Sequence, residues 1–270
     1  MNCAFYPSVR NKNVLITGGA EGIGAATVKL FALQGSRVFF LDIADDSAQR
    51  TINDITSSSP DPNEPWRPPI VPPTFIQCDV VNLEQLKEVT NKILEECGMI
   101  HILINNAAAA GGAARLSTEQ MTPEMWDFNI NANLRHIFFL TQAVLPSMIE
   151  ARGGSIVNLG SITWRIPATD VPVYTACKAA IMGLTRAHSK EFGEYGIRVN
   201  SVMPGAIATE RQIKEVLTPQ YRAEVMRNQS LQRDLTPDEV AKVIVFLASD
   251  EASGVTGSSY VVDGGWVSDP

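Results

Sequence analysis

Short apolar runs bounded by turn residues alternate along this chain with longer segments whose apolar positions recur every three to four residues. The first pattern marks strands buried on both faces, the second helices with one buried stripe. The runs predict strands at Asn13–Thr17, Arg37–Leu41, Thr74–Gln77, Ile100–Ile104, Ser155–Leu159, Arg198–Val202 and Ser259–Val262. Helices are predicted at Gly22–Gly35, Leu83–Glu96, Pro123–Ala151, Val173–Phe192 and Pro237–Ala248, the first with Ile23, Ala26, Leu30 and Leu33 as its apolar positions. Strand and helix in alternation build right-handed βαβ units on a parallel sheet. The expected fold class is α/β: one doubly wound domain over residues 1–270, a seven-stranded parallel sheet flanked by helices.

Ser57–Pro73 breaks the pattern. It holds seven prolines, with Trp66 among them. Proline fixes φ and removes an N–H donor, so the segment is neither helix nor central strand. We read it as a Pro-rich surface insertion between the second helix and the third strand. An extended arm that docks on a partner is the alternative.

Charge narrows the choice of partners. The 270 residues carry a net charge of -7 with no Lys/Arg run, so neither nucleic acid nor an anionic membrane meets a basic footprint. No apolar run approaches the ~20 residues that span a bilayer, and Met1–Lys12 lacks a signal-peptide core. The expectation is a soluble, cytoplasmic protein. Cys3, Cys78, Cys97 and Cys177 show no metal-ligand spacing, and His101, His136 and His188 are scattered, so no metal site is expected and the thiols read as reduced. Cys177 stands beside Lys178, yet nothing adjacent in sequence would serve as its base.

Two motifs carry chemistry. Thr17-Gly18-Gly19-Ala20-Glu21-Gly22-Ile23-Gly24 joins the first strand to the first helix. Glycines there let the backbone turn sharply and approach a pyrophosphate, and the helix N-terminus offers unpaired N–H groups. The second strand ends in an acid, Asp42, about twenty residues on, as a dinucleotide site requires. A carboxylate there bonds the adenosine ribose hydroxyls and repels a 2′-phosphate; Glu21 adds a second negative charge, so NAD is preferred over NADP. Downstream, Tyr174 and Lys178 lie four residues apart, on one face of a helix. A free tyrosine, with a pKa near ~10, is a poor base at neutral pH. A neighbouring ammonium favours the phenolate. Together the motifs read as hydride transfer.

With Asp79-Val80, Asn105-Asn106-Ala107, Ser161, Asn200, Pro204-Gly205 and Val261-Val262-Asp263-Gly264-Gly265 in the same order, the chain resembles the short-chain dehydrogenase/reductase family over its whole length. The resemblance implies a nicotinamide cofactor held by Gly18, Glu21, Gly22, Ile23, Gly24, Asp42, Asp79, Val80 and Asn106. Pro204, Gly205, Ile207 and Thr209 would face its nicotinamide end. It implies a catalytic set of Asn133, Ser161, Tyr174 and Lys178. Ser161 would polarise the substrate oxygen and Tyr174 would exchange its proton. Lys178 would bond the nicotinamide ribose and keep Tyr174 acidic, and Asn133 would hold a water for proton exchange with Lys178. Asn129 and Asn131 stand close by, and Trp126 with Leu134 sets the register that selects Asn133. Two positions depart from the family: Ala108 replaces the usual glycine after Asn-Asn-Ala, and Cys177 the usual small residue before the lysine. Neither removes a reacting atom. The family also implies a homo-oligomer, a tetramer or dimer, built through the long central helices and Tyr260-Val261-Val262.

Substrate specificity in such proteins sits between Ser161 and Tyr174 and after Thr209. Trp164 with Arg165, and Arg211 with Gln212, resemble the branch that oxidises aldoses at C1 to lactones. These side chains could supply an apolar ring face and several hydrogen bonds to a sugar. The alternative is Trp164 as packing and Arg211 as surface charge, with another secondary alcohol or ketone as substrate. A non-catalytic dinucleotide-binding scaffold is the remaining reading, and an intact catalytic set argues against it.

Overall fold

The computed structural model describes residues 3–57, 68–109, 111 and 115–267. The strands are β1 (Asn13–Thr17), β2 (Arg37–Asp42), β3 (Thr74–Gln77), β4 (Ile102–Asn105), β5 (Gly154–Leu159), β6 (Ile197–Pro204) and β7 (Ser259–Val262). They form one sheet in the order β3-β2-β1-β4-β5-β6-β7, and every pairing is parallel. The helices are α1 (Gly22–Leu33), α2 (Asp45–Thr56), α3 (Leu83–Cys97), α4 (Pro123–Ile130), α5 (His136–Glu150), α6 (Pro172–Phe192), α7 (Glu210–Glu215), α8 (Pro219–Asn228) and α9 (Pro237–Ala248).

Period-two alternation divides the strand side chains between two cores. Val14 and Ile16 of β1, Val38 and Phe40 of β2 and Val157 of β5 pack with Val28 and Phe31 of α1 and Ile244 and Val245 of α9. On the other face Leu15, Phe39, Leu41, Leu103 and Ile156 pack with Ile93 of α3, Leu140 and Val144 of α5 and Phe192 of α6. Both faces of the sheet are thereby covered. Every residue of β1 and β4 is buried, which is why these strands read as unbroken apolar runs.

Three helices start at a Thr-Pro pair: Thr122-Pro123, Thr218-Pro219 and Thr236-Pro237. Proline suits the first helical position because its missing N–H is not needed there, and the threonine oxygen accepts from an orphan amide. Thr122 serves Met125 N at 3.3 Å and Thr218 serves Tyr221 N at 3.2 Å. The short helices α7 and α8 fall in a stretch where the apolar pattern predicts none.

The predicted helix Pro123–Ala151 is not continuous. A π-helical turn, Asn131–Arg135, separates α4 from α5. Side chains serve carbonyls of the wider turn: Asn133 Nδ2 donates to Asn129 O at 3.0 Å, and His136 Nδ1 lies 3.4 Å from Asn131 O. Residues 58–67, with Trp66 and the centre of the proposed Pro-rich insertion, lie outside the described residues. At its end Pro68 is buried against Gly35, whose φ of +77° ends the α1 connection; a Cβ on Gly35 would lie 2.8 Å from Pro68. Among the described residues, no helix is long and apolar enough to cross a membrane.

Candidate active site

The strand order reverses between β1 and β4, so the connections leave in opposite directions and open a crevice above the strand C-termini. A cleft of about 1150 Å³ fills it. Its floor is the Gly-rich turn. Gly18 and Gly22 take φ of +66° and +56°, a region costly for any residue with a Cβ. Gly24 packs so closely that a Cβ would lie 1.8 Å from Gly18 O. Asn106 braces the turn: its Nδ2 donates to Thr17 O at 2.9 Å and Gly18 O at 2.8 Å. The amides of Asn106 and Ala107 both reach Thr17 Oγ1 at 3.0 Å. Glu21 precedes α1 without capping it, which leaves the first-turn amides for a phosphate. These features fit a dinucleotide.

At one end of the cleft, Asp42 is fixed by the backbone. Its Oδ2 accepts from Ala20 N at 2.9 Å, and its Oδ1 from Ile43 N at 2.8 Å and Ala44 N at 3.1 Å. Glu21 accepts from the Ser47 hydroxyl, and Arg50 donates to Ser47 Oγ at 2.8 Å. All of these line the cleft with Asp79 and Val80. Asp79 Oδ1 holds the following turn through Val81 N at 2.9 Å. At the opposite end the wall is Pro204, Gly205, Ile207 and Thr209. Gly205 lies against Asp263, 2.7 Å from its Cβ were it to carry one itself, and the Asp263 carboxylate accepts from Gly265 N and Val267 N. The Val-Val-Asp-Gly-Gly segment therefore supports Gly205 from behind. Thr209 Oγ1 accepts from Gln212 N at 3.1 Å, which starts α7 and leaves the hydroxyl proton free to point elsewhere.

Ser161, Tyr174 and Lys178 share the wall between these ends. Ser161 Oγ accepts from Thr163 N at 3.2 Å, capping a short 3-10 turn, and also hydrogen-bonds Tyr174. Lys178 is buried, donates to Leu159 O at 2.7 Å and lies 5.5 Å from the Tyr174 ring centroid. Burial lowers its pKa to about 8. Burial raises the Tyr174 phenol's pKa; the Ser161 hydrogen bond and the charges of Arg211 and Arg115 oppose that rise.

Asn133 is fully buried in the π turn. Its Oδ1 accepts from Ala109 N at 3.0 Å and its Nδ2 donates to Asn129 O. The amide ties the loop after β4 to the helix and keeps one N–H and one lone pair for a further partner.

The family described as enoyl-(acyl carrier protein) reductase matches residues 18–267. The D-xylose 1-dehydrogenase of Caulobacter vibrioides is 42% identical over 98% of this chain and all of its own length. A probable galactose dehydrogenase of Rhizobium meliloti is 38% identical over 96% of each chain. The crystal structure of a 3-oxoacyl-[acyl-carrier protein] reductase from Brucella melitensis superposes with a TM-score of 0.84 at 31% identity, covering 98% of this chain and 94% of its own. The chain belongs to the short-chain dehydrogenase/reductase family.

As a short-chain dehydrogenase/reductase it is an oxidoreductase acting on CH–OH groups, and the family implies a nicotinamide cofactor. Of the four side chains read as substrate contacts, Arg211 and Gln212 line the cleft. Trp164 and Arg165 do not; the guanidinium stacks over the indole, 5.5 Å from its centroid. Three contributors escaped the sequence reading. Arg50 sits in the second turn of α2 with no motif around it. Arg115 precedes α4 in an irregular stretch and acts on Tyr174 only through space. Glu215, on α7, reaches across to Gly111, where a Cβ would lie 2.7 Å from its Oε2. The last was legible in principle, since the Thr209 cap announces the helix that carries it.

Proposed function

We propose that this dehydrogenase oxidises an aldose at C1 to its lactone, with NAD as hydride acceptor. The observation that carries the substrate class is full-length identity of 42% and 38% to two sugar dehydrogenases. The polar mouth formed by Arg211 and Gln212 beside Tyr174 suits a polyhydroxylated ligand.

Ser161 donates a hydrogen bond to the anomeric oxygen while Tyr174 withdraws its proton, and the C1–H electron pair leaves as hydride as the carbonyl forms. When bound, the nicotinamide supplies the two-electron sink. Lactone, reduced cofactor and one proton result. Arg211 and Arg115 favour the phenolate that this step needs. Lys178 presents its ammonium beneath the ring of Tyr174.

NAD preference rests on charge. Asp42 and Glu21 place two carboxylates at the adenosine end against one guanidinium, Arg50, which is drawn into the Glu21–Ser47 pair. Asp42→Ala should raise turnover with NADP relative to NAD at least tenfold, on the order of 1.4 kcal/mol for one lost repulsion. An unchanged ratio would leave Asp42 without that role.

A homo-oligomer, dimer or tetramer, belongs to the same reading. Trp126 on α4 and Phe138 and Phe139 on α5 are 48%, 44% and 41% exposed. Large aromatics left open in a row mark a surface that another copy covers.

The reaction is tested by nicotinamide absorbance on mixing the protein with NAD and aldopentoses, aldohexoses and simple secondary alcohols. Reduced cofactor should appear with an aldose and its lactone be recovered. Tyr174→Phe should lose at least ~100-fold in kcat while still binding NADH. The second reading, a different secondary alcohol or its ketone, is favoured by the likeness to the 3-oxoacyl reductase; turnover of such a compound with silence toward every sugar would install it.

A further inference from the structure

Four buried polar side chains cross the interior in one line, and the proposed reaction uses none of them. Asn105 ends β4, and Asn158 is its register partner on β5. Asn105 Nδ2 donates to Asn158 Oδ1 at 2.8 Å and to Thr141 Oγ1 of α5 at 3.4 Å. Asn158 Nδ2 donates in turn to Thr185 Oγ1 of α6 at 3.0 Å. All four residues are buried. Strand alternation puts both amides on the sheet face of Leu103 and Ile156, the face that α5 and α6 cover. The rung so formed runs from α5 through β4 and β5 to α6.

Stability does not account for it. Asn105 Oδ1 has no hydrogen-bond partner among the described residues, and a buried acceptor left unpaired costs more than a typical hydrogen bond returns. Apolar side chains of the same shape would fill the layer without that penalty. A hydrogen bond has a length and a direction that apolar contacts lack, so what the rung supplies is position.

The element it positions is α6. Leu159, the residue after Asn158, gives its carbonyl to Lys178 Nζ at 2.7 Å. Thr185 follows Lys178 by seven residues, two helical turns, so both side chains leave α6 on one face. Helix and strand are thus joined twice, by Lys178 to Leu159 and by Thr185 to Asn158. One anchor alone leaves a helix free to roll about it; two, about 10 Å apart along the axis, fix both height and rotation.

We propose that Asn158 and Thr185 are positioning residues for hydride transfer: their hydrogen bond sets α6 on β5 so that Lys178 meets Leu159 O and Tyr174 meets Ser161. This rests on the dehydrogenase reading of the site. Neither residue lines the cleft, so both act through the helix and not on the substrate.

Three variants and two crystal structures decide it. Thr185→Val keeps the side chain's shape and leaves Asn158 Nδ2 unpaired; it should lose stability to urea and about tenfold in kcat. Thr185→Ser keeps the hydroxyl and should stay within about threefold of wild type. Asn158→Leu combined with Thr185→Val removes donor and acceptor together, while Asn105 Nδ2 keeps Thr141. This double variant should regain the stability that the valine variant lost, yet remain about tenfold down in kcat, because filled space does not restore the register. Its crystal structure should show Lys178 Nζ beyond hydrogen-bond distance of Leu159 O, where the wild type keeps that bond. Recovery of kcat together with stability, wild-type kcat in the valine variant, equal kcat losses in the valine and serine variants, or an undisturbed Lys178–Leu159 bond in the double variant overturns the proposal. Should the valine variant fail to fold, the serine and double variants decide. A wild type that turns over no alcohol would instead sink the dehydrogenase reading, a result independent of the Lys178 displacement seen in the crystals.

Discussion

Lys178 carries a charge into an interior that penalises it, and this leaves a measurable mark. Its pKa is about 8 in the folded chain, depressed from 10.5 by burial. Below pH ~8 the lysine is protonated in both states and the penalty is constant. Between ~8 and ~10.5 the unfolded chain keeps a proton that the folded chain has released, so stability rises with pH across that window. Urea unfolding of the wild type and of Lys178→Met should therefore diverge, with the difference shifting in favour of the wild type from pH 8 to 10. A difference that stays flat would mean the ammonium is better solvated than its burial implies. Tyr174 and Lys178 were legible in the sequence because their spacing is set by the helix that bears them. What tunes them was not. Arg211 and Arg115 come from segments 37 and 59 residues from Tyr174 in either direction, and only the fold brings their charge to the phenol.

At the scale of elements, the Gly-rich turn is legible because backbone conformation forces residue type. Gly24 is the sharpest case: its missing Cβ lets α1 close against Gly18 O, and Asn106 locks the same carbonyl from β4. Gly24→Ala should displace the turn, weaken NADH binding by more than ~10-fold and cost about 2–4 kcal/mol of stability, as forced overpacking of rigid backbone does. Fluorescence titration with NADH and urea unfolding measure the two effects; unchanged NADH affinity would mean that the turn does not hold the cofactor. The five inner strands read correctly because each is buried on both faces. The π turn did not, because a one-residue widening leaves the apolar stripe almost unaltered while it redirects Asn133 and His136. Helices α7 and α8 were missed for the opposite reason. They are short, α8 buries only Val225, and an apolar pattern cannot announce a helix with so little to bury. Their Thr caps can, and Thr218-Pro219 repeats the start of α4 and α9.

For the whole molecule, the helices that carry the chemistry on one side carry an unfinished surface on the other. Phe138 and Phe139 stand edge to face, with ring centroids 5.4 Å apart, and Phe138 lies 5.7 Å from the His188 ring of α6. The patch therefore spans α5 and α6. Lys178 and Tyr174 sit on α6, Asn133 and His136 at the joint between α4 and α5. A second copy seated on these aromatics would hold the two helices against each other and fix the register between Lys178 and the π turn. Replacing Phe138 and Phe139 together by serine removes most of the apolar area at the centre of the patch while leaving both cores intact, since neither ring belongs to them. The double variant should run as a smaller species than the wild type by light scattering at micromolar concentration. It should keep its helical content and lose several-fold in kcat, because roughly 1 kcal/mol of misplacement at the reacting groups suffices for that. A wild type that is itself monomeric would remove the interface. A variant that dissociates yet keeps full turnover would show that each copy positions its catalytic residues alone.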